Sequence, residues 1–135
     1  MRLAILDTNV VVSAGIQPLG YSARIVDSAL DGQLKLVTCP TIVVEYREVL
    51  HRPRLAKHGF PPEWFDFLVD QSLQLSDPPP WPLHGPDPDD LIFLALAQVY
   101  GAVLVTGNLA DYPDAIRGGV VVFSPKEYWE SLRLT

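Results

Sequence analysis

The sequence predicts an α/β fold in which helices cover both faces of a mainly parallel sheet. Three observations lead there. Four short apolar runs, residues 2–6 (RLAIL), 34–38 (LKLVT), 102–105 (AVLV) and 120–123 (VVVF), have the continuous hydrophobic character of strands buried on both faces. Segments of helical periodicity lie between and after them. Strands that alternate with helices pair in parallel through right-handed crossovers, which gives three layers.

The first strand, residues 2–6, runs straight into Asp7, Thr8 and Asn9. Residues 21–31 read as a helix, with Ser22 and Ala23 near its start and Gly32 at its end. After the strand at 34–38, Pro40 opens a helix reaching about Arg52, since proline suits a first helical position. A short helical piece is expected over 54–58. The stretch 62–75 (PEWFDFLVDQSLQL) reads as a helix with Trp64, Phe65, Leu68 and Leu75 at core spacing. Proline blocks regular structure in SDPPPWPLHGPDP, residues 76–88, which is a long loop within one domain. A helix follows over 88–100, apolar all round from 91 to 97. The strands at 102–105 and 120–123 come next, then a helix over 125–132 with Ser124 as its N-cap.

A chain of 135 residues is expected to form one domain, residues 1–135. Its 48% hydrophobic and 19% charged residues exclude a disordered chain. No apolar run approaches the roughly 18 residues that cross a bilayer, and Asp7 comes too early for a signal peptide. The single cysteine, Cys39, allows no internal disulfide and reads as a small buried hydrophobe. Together these features place the protein in the cytoplasm, away from membranes. The net charge of −6 argues against gripping nucleic acid by bulk attraction. It leaves open a nuclease, because a site built of carboxylates is acidic until divalent cations enter it.

A carboxylate at the end of an apolar strand is costly unless something uses it. Asp7 is such a residue, and in an open parallel sheet ligands bind beyond the strands' carboxyl ends. Asn108 and Asp111, in TGNLADYP, follow the strand at 102–105 and reach the same edge. On the helix from Pro40, Glu45 flanks the apolar stripe of Ile42, Tyr46, Val49 and Leu50, whereas Glu48 points to solvent. Glu45 is therefore the half-buried acid in need of a partner. Asp90 stands four residues before Leu94, on an inward line, and the helix dipole favours it there. Asp87 is placed as an N-cap, with Asp89 as an outer neighbour or capping acid. Each acid alone has an ordinary explanation as a cap, a turn or an ion-pair partner. Convergence of Asp7, Glu45, Asp90 and Asp111 has none, since four carboxylates repel unless cations sit among them.

These residues carry a resemblance to the PIN-domain nucleases. It rests on ILDTNVVVSA, on the PTIVVEYREVL helix with Glu45, on DPDDLIFLALAQVYGAVLVTGNLADYP, and on the closing FSPKEYW, in the family's order over essentially the whole chain. The nearest flavour is similar to the VapC-like toxin subunits of bacterial toxin–antitoxin modules. The resemblance implies a three-layer α/β/α domain with a five-stranded parallel sheet. It implies a ribonuclease that uses Mg²⁺ or Mn²⁺, with its acids at Asp7, Glu45, Asp90 and Asp111, and supporting polar groups at Asn9, Thr106 and Asn108. It also implies a homodimer and a small antitoxin partner. The chain departs from the pattern at Asn108 and Leu91, where many relatives carry an acid; both changes remove negative charge.

Oxygen ligands favour hard cations over zinc or copper. Asp7 and Asp90 are expected as direct ligands, with Asp111 and Glu45 completing the site directly or through water. RNA must reach this acidic place, and Arg47, Arg52, Arg54 and Lys57 in REVLHRPRLAKHG form a basic rim that is either phosphate-contacting or a solvated helix surface. His51, His58 and His84 are scattered and show no ligand spacing. Two other readings compete. A phosphatase of the haloacid-dehalogenase type also has Asp after its first strand, but needs a second Asp where Asn9 stands and an acidic pair after the Thr106 strand. A catalytically silent PIN-like module would act only by binding, with Trp81, Tyr128 and Trp129 as candidate contact aromatics if they do not complete the core.

Overall fold

The computed structural model describes residues 2–134. Five parallel strands, β1 (Leu3–Leu6), β2 (Lys35–Thr38), β3 (Leu73–Gln74), β4 (Val103–Val105) and β5 (Val122–Phe123), form one sheet in the order β3-β2-β1-β4-β5. Six α-helices lie among the described residues: α1 (Thr8–Ile16), α2 (Tyr21–Leu30), α3 (Pro40–Leu50), α4 (Phe65–Gln71), α5 (Leu91–Tyr100) and α6 (Pro125–Arg133). They cover the sheet to make a three-layer α/β/α fold.

The strand order positions the site. From β1 the chain steps outward through β2 to β3, then returns across β1 to lay down β4 and β5. The reversal falls between β1 and β4, where Ala4, Ile5 and Leu6 pair with Val103, Leu104 and Val105. Helices leave such a pair on opposite sides, and the crevice opens at the carboxyl ends of the two strands. Asp7 and Thr106 are the residues that emerge there.

The core is apolar where the runs predict it: Ile5, Leu6, Ile42, Leu50, Leu94 and Leu104 are all fully buried. Each such side chain contributes about 1.5–3 kcal/mol relative to exposure. Cys39 is buried among them, and burial pushes its thiol up to about 11. Ser124 caps α6 in a reciprocal capping box with Glu127. Tyr128 is buried, Trp81 and Trp129 pack partly buried against the core, and Trp81 Nε1 donates to the Ile116 carbonyl at 2.9 Å. These aromatics therefore complete the core.

Three features differ from the sequence expectation. Residues after Asp7 form helix α1, whose Val10, Val11 and Ala14 are buried. The expected helix over 62–75 is shorter: α4 ends at Gln71, Ser72 turns extended with ψ 157, and Leu73–Gln74 add to the sheet beside Val37 and Thr38. The Ser72 hydroxyl lies 2.8 Å from that of Thr38, which ties the edge strand down. Finally, Pro88–Asp90 form a separate 3-10 turn before α5 begins at Leu91. Among the described residues no helix is long and apolar enough to cross a membrane.

Candidate active site

Asp7 is both the residue that ends β1 and the N-cap of α1. It is only 4% exposed, and a carboxylate that deeply buried needs donors. It has three. Thr8 N donates to Oδ1 at 2.7 Å, while the hydroxyls of Thr106 and Tyr112 each donate to Oδ2 at 2.9 Å. A carboxylate offers about four acceptor positions, two on each oxygen. Oδ2 is therefore saturated, and Oδ1 keeps the remaining lone pair. Burial raises the Asp7 pKa, the three donors pull it back, and the charge of Asp111 raises it again.

Glu45 reaches the same place from α3. It is half-buried, as its position beside the apolar stripe predicts, and Glu48 is exposed. The Thr8 hydroxyl donates to Glu45 Oε2, so adjacent residues of the chain, Asp7 and Thr8, build both parts of this corner. Burial raises the Glu45 pKa; the Thr8 bond lowers it, and Asp7, Asp89 and Asp87 raise it. The next residue, Tyr46, donates its buried hydroxyl to the Leu6 carbonyl, which pins α3 to the end of β1.

Asp90 ends the 3-10 turn before α5, and Asp87 caps that turn by accepting from Asp89 N at 3.0 Å. Asp89 itself is exposed. Asp90 titrates at about 7, pushed up first by burial, then by the charges of Asp7, Asp87 and Asp111 and by a hydrogen bond with Asp111. Asp111 lies in the turn after β4, where the Asn108 side-chain amide donates to its Oδ2 at 3.0 Å. Asn9 braces the same turn from α1: its Oδ1 accepts from Gly107 N at 2.8 Å. The Thr106 hydroxyl also accepts from Asn108 N at 3.1 Å. A neutral Asn108 thus orients Asp111, where an acid would repel it.

The four sequence-predicted acids therefore act on one another as charges in one crevice. Two hydroxyls that sequence reasoning overlooked, those of Tyr112 and Thr8, hold two of them. The basic residues separate into groups. Arg52 and Arg54 line a cleft of about 440 Å³ together with Asp7, Glu45 and Asp90. Arg47 instead pairs with Asp66 at 2.8 Å and lies over the Phe65 ring. Lys57 is exposed on the 3-10 helix Pro53–His58 and does not line that cleft.

Among the described residues, no three His, Cys, Asp or Glu side chains form a ready-made metal-holding group. The acids gathered around Asp7, namely Glu45, Asp90 and Asp111, nonetheless offer only oxygen as ligand atoms. Such a set suits Mg²⁺ or Mn²⁺, since Mg²⁺ keeps several of its waters and takes only one or two carboxylates. The pKa values of Asp7, Glu45 and Asp90 are raised first by burial and then by the charges of neighbouring acids, both of which a bound cation would offset.

Comparison with known proteins agrees with this architecture. Two solved structures share the fold. One is a chain of VapBC2 from Rickettsia felis, bound in that crystal to a DNA fragment from its promoter, with a TM-score of 0.62, 12% identity and coverage of 90% of this chain and 98% of that one. The other is PAE2754 from Pyrobaculum aerophilum, with a TM-score of 0.63, 16% identity and coverage of 99% and 91%. A search of curated proteins by sequence finds no match. The model of the PIN domain matches residues 4–110, from β1 to the turn before Asp111. This chain belongs to the PIN-domain family, whose members are generally nucleases.

Proposed function

We propose that the protein is a metal-dependent endoribonuclease that uses Mg²⁺ or Mn²⁺ and hydrolyses RNA phosphodiesters at Asp7, Glu45, Asp90 and Asp111. The observation that carries this reading is the held carboxylate of Asp7 at the β1/β4 switch point, with three other acids coupled around it. Asp7 and Asp90 would ligate the cation directly, with Glu45 and Asp111 joining directly or through water. When bound, the cation supplies a water of lowered pKa and neutralises charge on the departing oxygen.

The chain's own residues do the rest. Thr106 and Tyr112 hold Oδ2 of Asp7, and Oδ1, with Thr8 N as its one donor, keeps acceptor capacity for a cation. Thr8 fixes Glu45. Asn108 and Asn9 set the turn that carries Asp111, and Asp87 caps the turn that carries Asp90 by accepting from the backbone N–H of Asp89. Burial, with the charges of Asp7, Asp87 and Asp111, holds the Asp90 pKa up to about 7, so a cation bound there would release a proton near neutral pH. Arg52 and Arg54 meet RNA phosphate in the cleft, the exposed Lys57 adds positive charge outside it, and Arg47 contributes only if it leaves Asp66.

In the cell the protein acts as one domain, as the toxin of a toxin–antitoxin pair. It is cytoplasmic, forms a homodimer and is silenced by a small antitoxin protein. The similarity of fold to a VapBC2 chain and the family membership support this part. A catalytically silent binding module is the second reading, favoured by the absence of a ready-made ligand group among the described residues. Incubating purified protein with single-stranded RNA in Mn²⁺, with and without chelator, separates the two. Metal-dependent cleavage by the wild type and none by Asp7→Asn supports the nuclease; an inert wild type supports the binding module.

A further inference from the structure

The cleft beside the carboxylates continues past them. Its wall is Val12 and Ile16 of α1 and Val49 of α3, and Arg52 and Arg54 also line it. The spacing follows from the helix. Val49 stands one turn beyond Glu45 on α3, and Arg52 follows just after the helix, which ends at Leu50 with His51 as its C-cap. Pro53 holds Arg52 extended, at φ −62 and ψ 135, so the chain leaves α3 and brings Arg54 to the same cleft. Neither arginine has an ion pair among the described residues, although Asp7, Glu45 and Asp90 line the same space; the ion pairs belong to Arg47 and Arg117. The negative end of α3 favours a cation here. It does not account for an apolar strip that runs from carboxylates to two guanidiniums without counter-ions.

We infer that this extension is a nucleotide subsite for single-stranded RNA, in which one nucleoside lies on Val12, Ile16 and Val49 and its two flanking phosphates sit beside the carboxylates and on Arg52 and Arg54. A volume of about 440 Å³ is at the scale of small-ligand clefts. Guanidinium groups bind phosphate oxygens through paired hydrogen bonds, which a lone ammonium does not offer. An aliphatic wall receives the face of a base splayed out of its stack; a base inside a duplex cannot present that face. Ser13 and Gln17 line the same cleft and bring polar groups to the base edge, so they bias which base is accepted. The placement of the phosphate beside the carboxylates rests on the nuclease reading; the arginine end does not.

The test is fluorescence anisotropy with a short single-stranded RNA, a hairpin of the same length and a Glu-rich peptide, using wild type, the double variant Arg52→Ala/Arg54→Ala, and Lys126→Ala/Arg133→Ala as a charge-matched control on exposed positions of α6. The double variant is expected to bind single-stranded RNA at least tenfold more weakly than either other protein. Its slope of log affinity against log salt should fall by about 0.7, one phosphate's worth on a single strand. The hairpin should bind more weakly than the single strand. Ile16→Asp, which leaves both arginines, should weaken RNA binding with a smaller change in salt slope. Equal binding by the double variant and the control, or equal binding of hairpin and single strand, overturns the subsite. So does arginine-dependent binding of the peptide alone, which makes the cleft a protein-docking site. Arginine-dependent RNA binding without cleavage retains the subsite and removes the nuclease reading; cleavage that ignores both arginines does the reverse.

Discussion

The hydroxyl of Tyr112 donates to Oδ2 of Asp7 at 2.9 Å in the interior, joining residues 105 apart in sequence. With the Thr106 hydroxyl it saturates one oxygen and so decides which oxygen of Asp7 remains available. Tyr112 is fully buried, and burial with the charges of Asp7 and Asp90 holds its phenol far above its ordinary range, so it acts as a fixed donor. Replacing Tyr112 by Phe removes the donor and keeps the ring. Urea unfolding should show a loss of about 1–2 kcal/mol, and RNA cleavage should fall because Asp7 is less firmly held. Unchanged cleavage would mean that Thr106 alone positions the carboxylate.

The pH dependence of stability follows from the same crowding. The Asp90 pKa rises from 3.8 to about 7 on folding, and those of Asp7 and Glu45 rise as well. Between the unfolded and folded values the folded state binds more protons, so stability falls as pH rises through that window. Thermal melts of metal-free protein should therefore give a lower midpoint at pH 8 than at pH 5.5. Saturating Mn²⁺ should flatten the trend, since a bound cation favours the charged forms. A midpoint that rises across this range without metal contradicts the coupling described.

Asp90→Asn removes the repelled charge but keeps the shape. Metal-free protein should melt higher, by roughly 2–6 °C, while cleavage drops at least tenfold. Stability and activity moving in opposite directions marks a site held under strain for its task. A variant that melts lower and cleaves normally would show Asp90 to be a structural cap.

Asn108→Asp reverses the chemistry of the turn. The variant loses the donor that orients Asp111 and gains a charge beside it. It should melt lower without metal and bind Mn²⁺ several-fold more tightly, both readable by metal titration followed by differential scanning fluorimetry. Identical metal affinity would place residue 108 outside the site.

What the sequence revealed depended on whether the signal was local. The long apolar runs mark β1, β2 and β4, and the acids at strand and helix ends follow from topology once the sheet is parallel. Helix α1 was hidden because TNVVVSAGI is rich in branched valine and apolar on several sides; burial of Val10, Val11 and Ala14 against the sheet overrides propensity. Strand β3 is two residues long, too short for any period, and QSLQL reads equally well as the end of a helix. The hydroxyls of Tyr112 and Tyr46 leave no sequence signal, since each finds a partner far away in the chain: Asp7 for one, the Leu6 carbonyl for the other. Lys57 and Arg47 share a basic run with Arg52 and Arg54. Only the fold separates the pair that lines the cleft from the one tied to Asp66.

The central claim is that distant acids form one divalent-cation site, and calorimetric titration of Mn²⁺ into wild type and Asp7→Asn tests it most directly. Wild type should bind saturably, with proton release near neutral pH, and Asp7→Asn should lose that binding while retaining the fold. Equal binding by both proteins, or no binding by the wild type at millimolar Mn²⁺, would contradict it.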